Sequence, residues 1–197
     1  EILTATQDST TFNEAHWLKR VRYTDDTAVE NLEIGGRNLL LNSKAEKRNS
    51  NYPLAIYSLG DIKPQEGEQV TIMFKGELGV GKSCFKLYNS GGSVGIVNIY
   101  NSDKGSDGIY RKTFNWRISN SSNIALYIYP IPNTVVVESW ISEIMLVKGN
   151  KAAYYNEAPE DVEANIATAK TEAENAAKTY ADAKAEAERV LAEAYAD

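Results

Sequence analysis

Gly35-Gly36-Arg37-Asn38-Leu39-Leu40-Leu41-Asn42-Ser43 reads as the start of a domain. Two glycines supply a hinge, and Asn38 and Asn42-Ser43 are turn formers. The apolar run Leu39–Leu41 between them is too short for an ordinary helix but suits a strand buried on both faces. A matching end lies about a hundred residues later. Ile141-Ser142-Glu143-Ile144-Met145-Leu146-Val147-Lys148-Gly149-Asn150 is a second apolar strand closed by Gly-Asn, after which the composition turns abruptly to Ala, Glu and Lys.

Between these two stretches the strand signal repeats at short intervals: 54–59, 70–76, 82–88, 94–100, 109–116, 123–129, 134–138 and 141–148. Clusters of Gly, Asn, Ser, Asp and Pro separate them, such as Asn89-Ser90-Gly91-Gly92 and Asn120-Ser121-Ser122-Asn123. Eight or nine short strands without a helical period predict an antiparallel β-sandwich or barrel over residues 35–152, and a jelly roll fits the count.

The flanks differ from this body. Residues 1–34 hold strand patterns at Ile2–Thr6 and His16–Thr24, too little for an independent hairpin, and are expected to be the end of a preceding β-module and a linker. The chain begins mid-pattern without Met, which suggests a piece of a longer protein. From 158 to 197, Val162, Ile166, Ala169, Ala173, Ala176, Tyr180, Ala183, Ala187, Val190 and Ala194 alternate spacings of four and three. That is the seam of a left-handed coiled coil, which predicts an oligomerising helix. Pro159-Glu160-Asp161 opens it, with proline in the first turn and acids at the positive end of the helix dipole. The same composition would also suit a single solvated helix, and the seam does not separate dimer from trimer.

Charge is as uneven as composition. From Glu157 onward eleven acids face four bases, so the formal net charge of -6 resides in that segment and the rest is near neutral. Nucleic-acid binding needs a concentrated basic surface, which this chain lacks, so no nucleic acid is expected as a partner. No apolar run of spanning length exists, and no membrane insertion is expected. The single cysteine, Cys84, cannot form an internal disulfide, and the fold must be held by packing.

Three motifs invite chemical readings. Gly76-Glu77-Leu78-Gly79-Val80-Gly81-Lys82-Ser83 matches the phosphate-loop pattern, but that mechanism needs a helix after the loop, whose amides hold the phosphates. Cys84-Phe85-Lys86-Leu87-Tyr88 alternates like a strand, so a glycine-rich hairpin turn is expected instead. His16 is the only histidine, which disfavours a histidine-built zinc site or catalytic triad. Glu138 and Glu143 flank Trp140; rim charges or part of a structural cation site are expected rather than a catalytic pair, and Glu143 is the candidate ligand for a structural calcium. No other cofactor, and no enzymatic activity, is expected.

The aromatic residues carry more information. Alternation along 123–129 turns Ile124, Leu126 and Ile128 inward and Tyr127 and Tyr129 outward; Phe85 and Leu87 point in, Lys86 and Tyr88 out. Tyr57, Tyr110 and Trp116 add rings in neighbouring strands. Outward rings beside Asn, Arg and Lys suit stacking on sugars and bonding to their hydroxyls. Trp116, Tyr127, Tyr129, Tyr88, Tyr57 and Tyr110 are the candidate binding residues.

Gly36–Ser43 resembles the opening of carbohydrate-binding modules that recur in tail, baseplate and receptor-binding proteins of siphophages and prophages of Gram-positive bacteria. Ile141–Ala152 followed by Ala158-Pro159-Glu160-Asp161 is similar to the way such modules end, and Trp17–Asp25 resembles the closing strand of short β-modules in the same proteins. The resemblance implies a jelly roll, a cell-wall or surface polysaccharide of a Gram-positive host as ligand, a place on the virion tail, and a homo-oligomer, with a trimer favoured over a dimer. Related modules carry paired aspartates near a calcium in the closing strand, where this chain has Ser142-Glu143. The expected function is non-catalytic attachment to host polysaccharide; a structural spacer without a sugar ligand is the alternative.

Overall fold

The computed structural model describes residues 34–50, 53–89, 94–118, 123–152 and 154–195. The expected strands at 2–6 and 16–24, with His16 and Trp17, and parts of two expected turns (90–92 and 120–122) lie outside the described residues. Among the described residues ten strands run β1 (Ile34–Gly35), β2 (Lys47–Asn49), β3 (Ala55–Ser58), β4 (Gln69–Glu77), β5 (Cys84–Asn89), β6 (Val94–Tyr100), β7 (Ile109–Asn115), β8 (Ala125–Ile131), β9 (Ser139–Lys148) and β10 (Lys151–Ala152). They are followed by one long helix, α1 (Pro159–Ala194).

Eight strands form two antiparallel four-stranded sheets. The first has the order β2-β9-β4-β7 and the second β3-β8-β5-β6. Alternation assigns each strand one inner face, and both inner faces contribute to one core: Val70, Ile72, Phe74, Tyr110, Ile141 and Leu146 from the first sheet, Tyr57, Phe85, Leu87, Ile99, Leu126 and Ile128 from the second. The Phe85 ring crosses the gap, meeting Phe74 edge-on at 5.2 Å and Tyr110 at 5.4 Å, while Phe74 and Tyr110 stack at 4.9 Å. Such edge-to-face pairs add to area burial because a ring's positive edge meets another's negative face.

The structure departs from the sequence reading in four places. Leu39–Leu41 is not a strand. The buried Asn38 carboxamide oxygen accepts from the amides of Leu40 (3.1 Å) and Leu146 (3.2 Å), and the backbone reaches both sheets without a regular ladder: the Leu39 amide donates to the Leu146 carbonyl and the Leu41 amide to the Ser58 carbonyl, each at 2.9 Å, around an isolated bridge from Leu40 to Leu59. Residues 134–138 form a loop; β9 begins at Ser139 and pairs with β4 from Trp140 onward. The polar stretch 47–49 does form an edge strand, β2, paired with 139–141.

The fourth departure concerns the phosphate-loop pattern. No helix follows it, as expected, but it is not a hairpin: β4 belongs to one sheet and β5 to the other, so 78–83 crosses between them. The glycines serve this crossing. A Cβ on Gly79 would lie 2.6 Å from the Glu138 carbonyl oxygen and 2.7 Å from that of Val137, and Gly81 adopts φ +87°. Lys82 is buried, its ammonium 3.5 Å from the carbonyl oxygens of Ser50 and Pro132. Desolvation lowers its pKa.

The chain enters and leaves the domain side by side. β1 and β10 pair in parallel, Ile34 with Lys151 and Gly35 with Ala152. On the outer face of the first sheet, Met73, Met145 and Val147 are covered by Ala152 and Tyr155 of the exit segment. Helix α1 begins at the half-buried Pro159, just after the buried Ala158, and is about 54 Å long at 1.5 Å per residue. Every described residue from Val162 to its end is exposed. Its stability in this setting comes from alanine-rich propensity and surface pairs such as Lys170–Glu174 and Lys184–Glu188 at one-turn spacing.

Candidate functional site

The outer face of the second sheet gathers the rings that alternation turns outward. Register fixes their rows: Ile56 lies across from Tyr127, Tyr127 from Tyr88, and Tyr88 from Gly95. The adjoining row runs Tyr129, Lys86, Asn98. Tyr129 meets Tyr88 edge-on at 5.1 Å and lies at 25° to Tyr127, 6.3 Å away. The Lys86 ammonium sits 5.2 Å from the centre of the Tyr88 ring, within cation–π range. Beyond it the Asn98 side-chain amide donates to the Tyr100 hydroxyl at 3.1 Å.

Gly95 ends the Tyr127–Tyr88 row on the edge strand β6. A Cβ there would come within 3.3 Å of the Lys86 Cε and 3.5 Å of the Tyr88 ring. Within the strands of the second sheet, Lys86 is the one charged residue. The face therefore offers apolar ring surface, hydroxyls, an amide and an ammonium in one continuous patch. This set can stack on a flat apolar group and bond to the polar substituents around it.

The six predicted binding residues divide. Tyr127 and Tyr88 are half-buried and share the platform, and Tyr129 lies beneath them, 5% exposed. Trp116, Tyr57 and Tyr110 are in the core, and their expected outward orientation is corrected. Tyr57 pairs with the inward Leu126, so it points inward while Ile56 points out. Among the described residues its hydroxyl finds no hydrogen-bond partner, and burial raises its pKa. Tyr110 lies under the first sheet with its hydroxyl donating to Asn101 Oδ1 at 2.6 Å, and desolvation, assisted by Glu77, pushes its pKa up to about 12. Trp116 donates its indole N–H to Asn123 Oδ1 at 2.9 Å, and Asn123 in turn donates to the Pro64 carbonyl. Each buried polar tip except that of Tyr57 is thus satisfied inside the fold.

Ile124 is also corrected: expected inward, it is exposed, because β8 begins one residue later. Lys86, Asn98, Gly95 and Ile56 complete the platform, and none was a candidate binding residue. The outward position of Lys86 followed from alternation, but its neighbours depend on a register shift between Leu87 and Tyr88 that the sequence does not mark.

The first sheet offers less. Trp140 is capped by the Arg48 guanidinium, 5.4 Å from its ring centre, which Glu46 and Glu138 hold from either side. Glu143, the candidate calcium ligand, stands at φ +47° with its carboxylate 2.7 Å from the Lys75 ammonium. Among the described residues no three His, Cys, Asp or Glu side chains come together as a metal site. No helix among them is long and apolar enough to cross a membrane.

No family model matches the chain, and no curated protein matches it. Among solved structures it is similar, at a TM-score of 0.34 and 10% identity, to the tripod (BppUct-A-L) from the baseplate of bacteriophage Tuc2009. The likeness covers 64% of this chain and 59% of that one.

Proposed function

We propose that this chain is a non-catalytic carbohydrate-binding module of a phage tail or receptor-binding protein, which attaches to a cell-surface polysaccharide of a Gram-positive host through the outer tyrosine face. The observation that carries the reading is the register that sets Tyr127 directly across from Tyr88, with Gly95 ending that row and Lys86 and Asn98 in the next. Rings present the flat apolar surface that a pyranose face needs, and the surrounding polar groups match its hydroxyls. The placement on a virion tail rests on the resemblance of residues 36–43 and 141–161 to such modules.

The strand orders β2-β9-β4-β7 and β3-β8-β5-β6, facing each other over one core, support a jelly-roll sandwich. The unbroken four-three seam on a helix exposed from Val162 onward supports self-association as a coiled coil. Single sites of a few rings bind weakly, and joining several copies on one stalk raises avidity by about 10²–10⁴ when the target is repetitive.

Glycan arrays and pull-down on Gram-positive cell walls test the reading. The intact chain binds, and the pair Tyr88→Ala and Tyr127→Ala abolishes binding, while Tyr180→Ala on the helix leaves the intrinsic affinity of each domain unchanged. A chain that retains no sugar-dependent signal on any wall preparation is a structural spacer instead.

A further inference from the structure

The entry segment (34–44) and the exit segment (151–161) run beside each other in the same direction, and a succession of bonds joins them. β1 pairs with β10 at Ile34–Lys151 and Gly35–Ala152. Further along, the Asn156 side chain donates to the Gly36 carbonyl at 2.8 Å, and Asn38 donates to the Asn156 carbonyl at 3.0 Å. Arg37 pairs with Glu160 at 2.6 Å, the Asn42 amide donates to Asp161 at 2.7 Å, and Lys44 pairs with Glu157 at 2.6 Å.

The buried Asn38 extends this line into β9, donating to the Ile144 carbonyl at 3.2 Å and accepting from the Leu146 amide. The helix root is also seated on the loop after β3. Glu160 Oε1 accepts from the Asp61 amide at 3.1 Å and occupies the space where a Cβ on Gly60 would stand, 2.5 Å away.

We propose that these two segments form a shear clamp that carries tension between the chain preceding Ile34 and helix α1, leaving the two sheets unloaded. The direction of the strands decides this. In a parallel pair pulled from the start of one strand and the end of the other, the force runs along the strands and every cross-link bears it at once. In an antiparallel hairpin pulled at its two ends, bonds open one at a time. Here the backbone pairs, the two asparagines, the Glu157 carboxylate ahead of the helix and the Glu160 and Asp161 carboxylates of its first turn all link the entry segment to the exit segment, so rupture requires them to fail together. Their loss frees both ends of the domain at the same moment, and the sheets then unravel without a second barrier.

The test is force spectroscopy on the full chain, with handles at residues 1 and 197 or, laterally, on Lys47→Cys and Ser102→Cys. End-to-end pulling ruptures the domain at higher force than lateral pulling. It does so in one step that releases the chain between Gly35 and Ala152, on the order of 400 Å at about 3.3–3.6 Å per residue. Combining Arg37→Ala with Asn156→Ala shortens the end-to-end lifetime at fixed load about tenfold or more and changes the lateral lifetime by less than about twofold. Lys44→Ala, which removes an exposed ion pair from a position that cannot jeopardise folding, shortens only the end-to-end lifetime, by about two- to threefold. Equal losses in both geometries would make these contacts general stabilisers and overturn the proposal. Unchanged end-to-end lifetimes, or rupture in several small steps, would overturn it too; if the double variant fails to fold, Lys44→Ala decides.

Discussion

Truncating Phe85 to alanine tests whether the two sheets are one structural unit. The ring is fully buried, and its contacts with Phe74 and Tyr110 reach the opposite sheet. Removing a buried phenylalanine side chain forfeits its transfer free energy and leaves a cavity, together about 3–5 kcal/mol. A domain of this size has roughly 5–15 kcal/mol in total, so the loss is a large share of it. Urea titration followed by tryptophan fluorescence should show the midpoint falling by roughly 2–3 M with the slope retained. The thermal midpoint should fall by on the order of 10–20 °C. A double-mutant cycle with Tyr110→Leu should return a coupling of about 0.5–1.5 kcal/mol, the worth of an edge-to-face pair beyond area burial. A loss below about 1.5 kcal/mol, or no coupling, would mean that Phe85 does not lie in a sealed layer between the sheets.

Four further outcomes follow from particular contacts. Gly79→Ala should cost about 1–3 kcal/mol by denaturant titration, because its methyl meets two fixed carbonyl oxygens, whereas Gly36→Ala, with nothing within 4 Å, should pass unnoticed. Gly95→Val should leave the thermal midpoint within a few degrees yet reduce sugar binding tenfold or more on the array, since the added methyls fill the space over Lys86 and Tyr88. Lys82→Ala should lower stability without altering nucleotide turnover in a phosphate-release assay, because the ammonium rests on two carbonyls inside the fold.

Glu160 sets the fourth outcome. Burial pushes its pKa up, but the amides of Glu160 and Asp61 and the Arg37 guanidinium outweigh this and hold it below the usual 4.5. Its ionised form therefore contributes stability that is present above pH 4.5 and is lost as pH falls through the lower folded value. Acid titration of Glu160→Gln against the parent chain should show the gap in stability closing over that window. A gap that stays constant or widens on acidification refutes this account of the helix root.

The sequence displayed those features that depend on local period. The long helix from Pro159, the strands at 70–76, 94–100 and 141–148, and the inward positions of Leu126, Ile128, Phe85 and Leu87 all follow from spacing alone. What it concealed depends on pairing across long separations. Ile56 and Tyr57 are adjacent and both apolar enough to point inward, and only the partner Leu126, seventy residues on, decides between them. Trp116 looks like an exposed platform ring until Asn123 and Pro64 close over its indole nitrogen. Asn38 reads as a turn former, yet its buried side chain bonds to Leu40, Ser43, Ile144, Leu146 and Asn156. The crossing at 78–83 resembles a hairpin because the sequence does not record that its two strands join different sheets.

Gly35 and Ala152 are paired neighbours, about 4.8 Å apart across the two-stranded ribbon. Everything between them is a closed excursion that departs from and returns to one point. The helix root is tied into that excursion, because Glu160 and Asp161 bond to Arg37, Asn42 and Asp61 within it, so the helix keeps its direction only while those partners are preserved. Changes on the outer face of the second sheet, which holds none of these partners, would therefore leave the heading of the helix as it is.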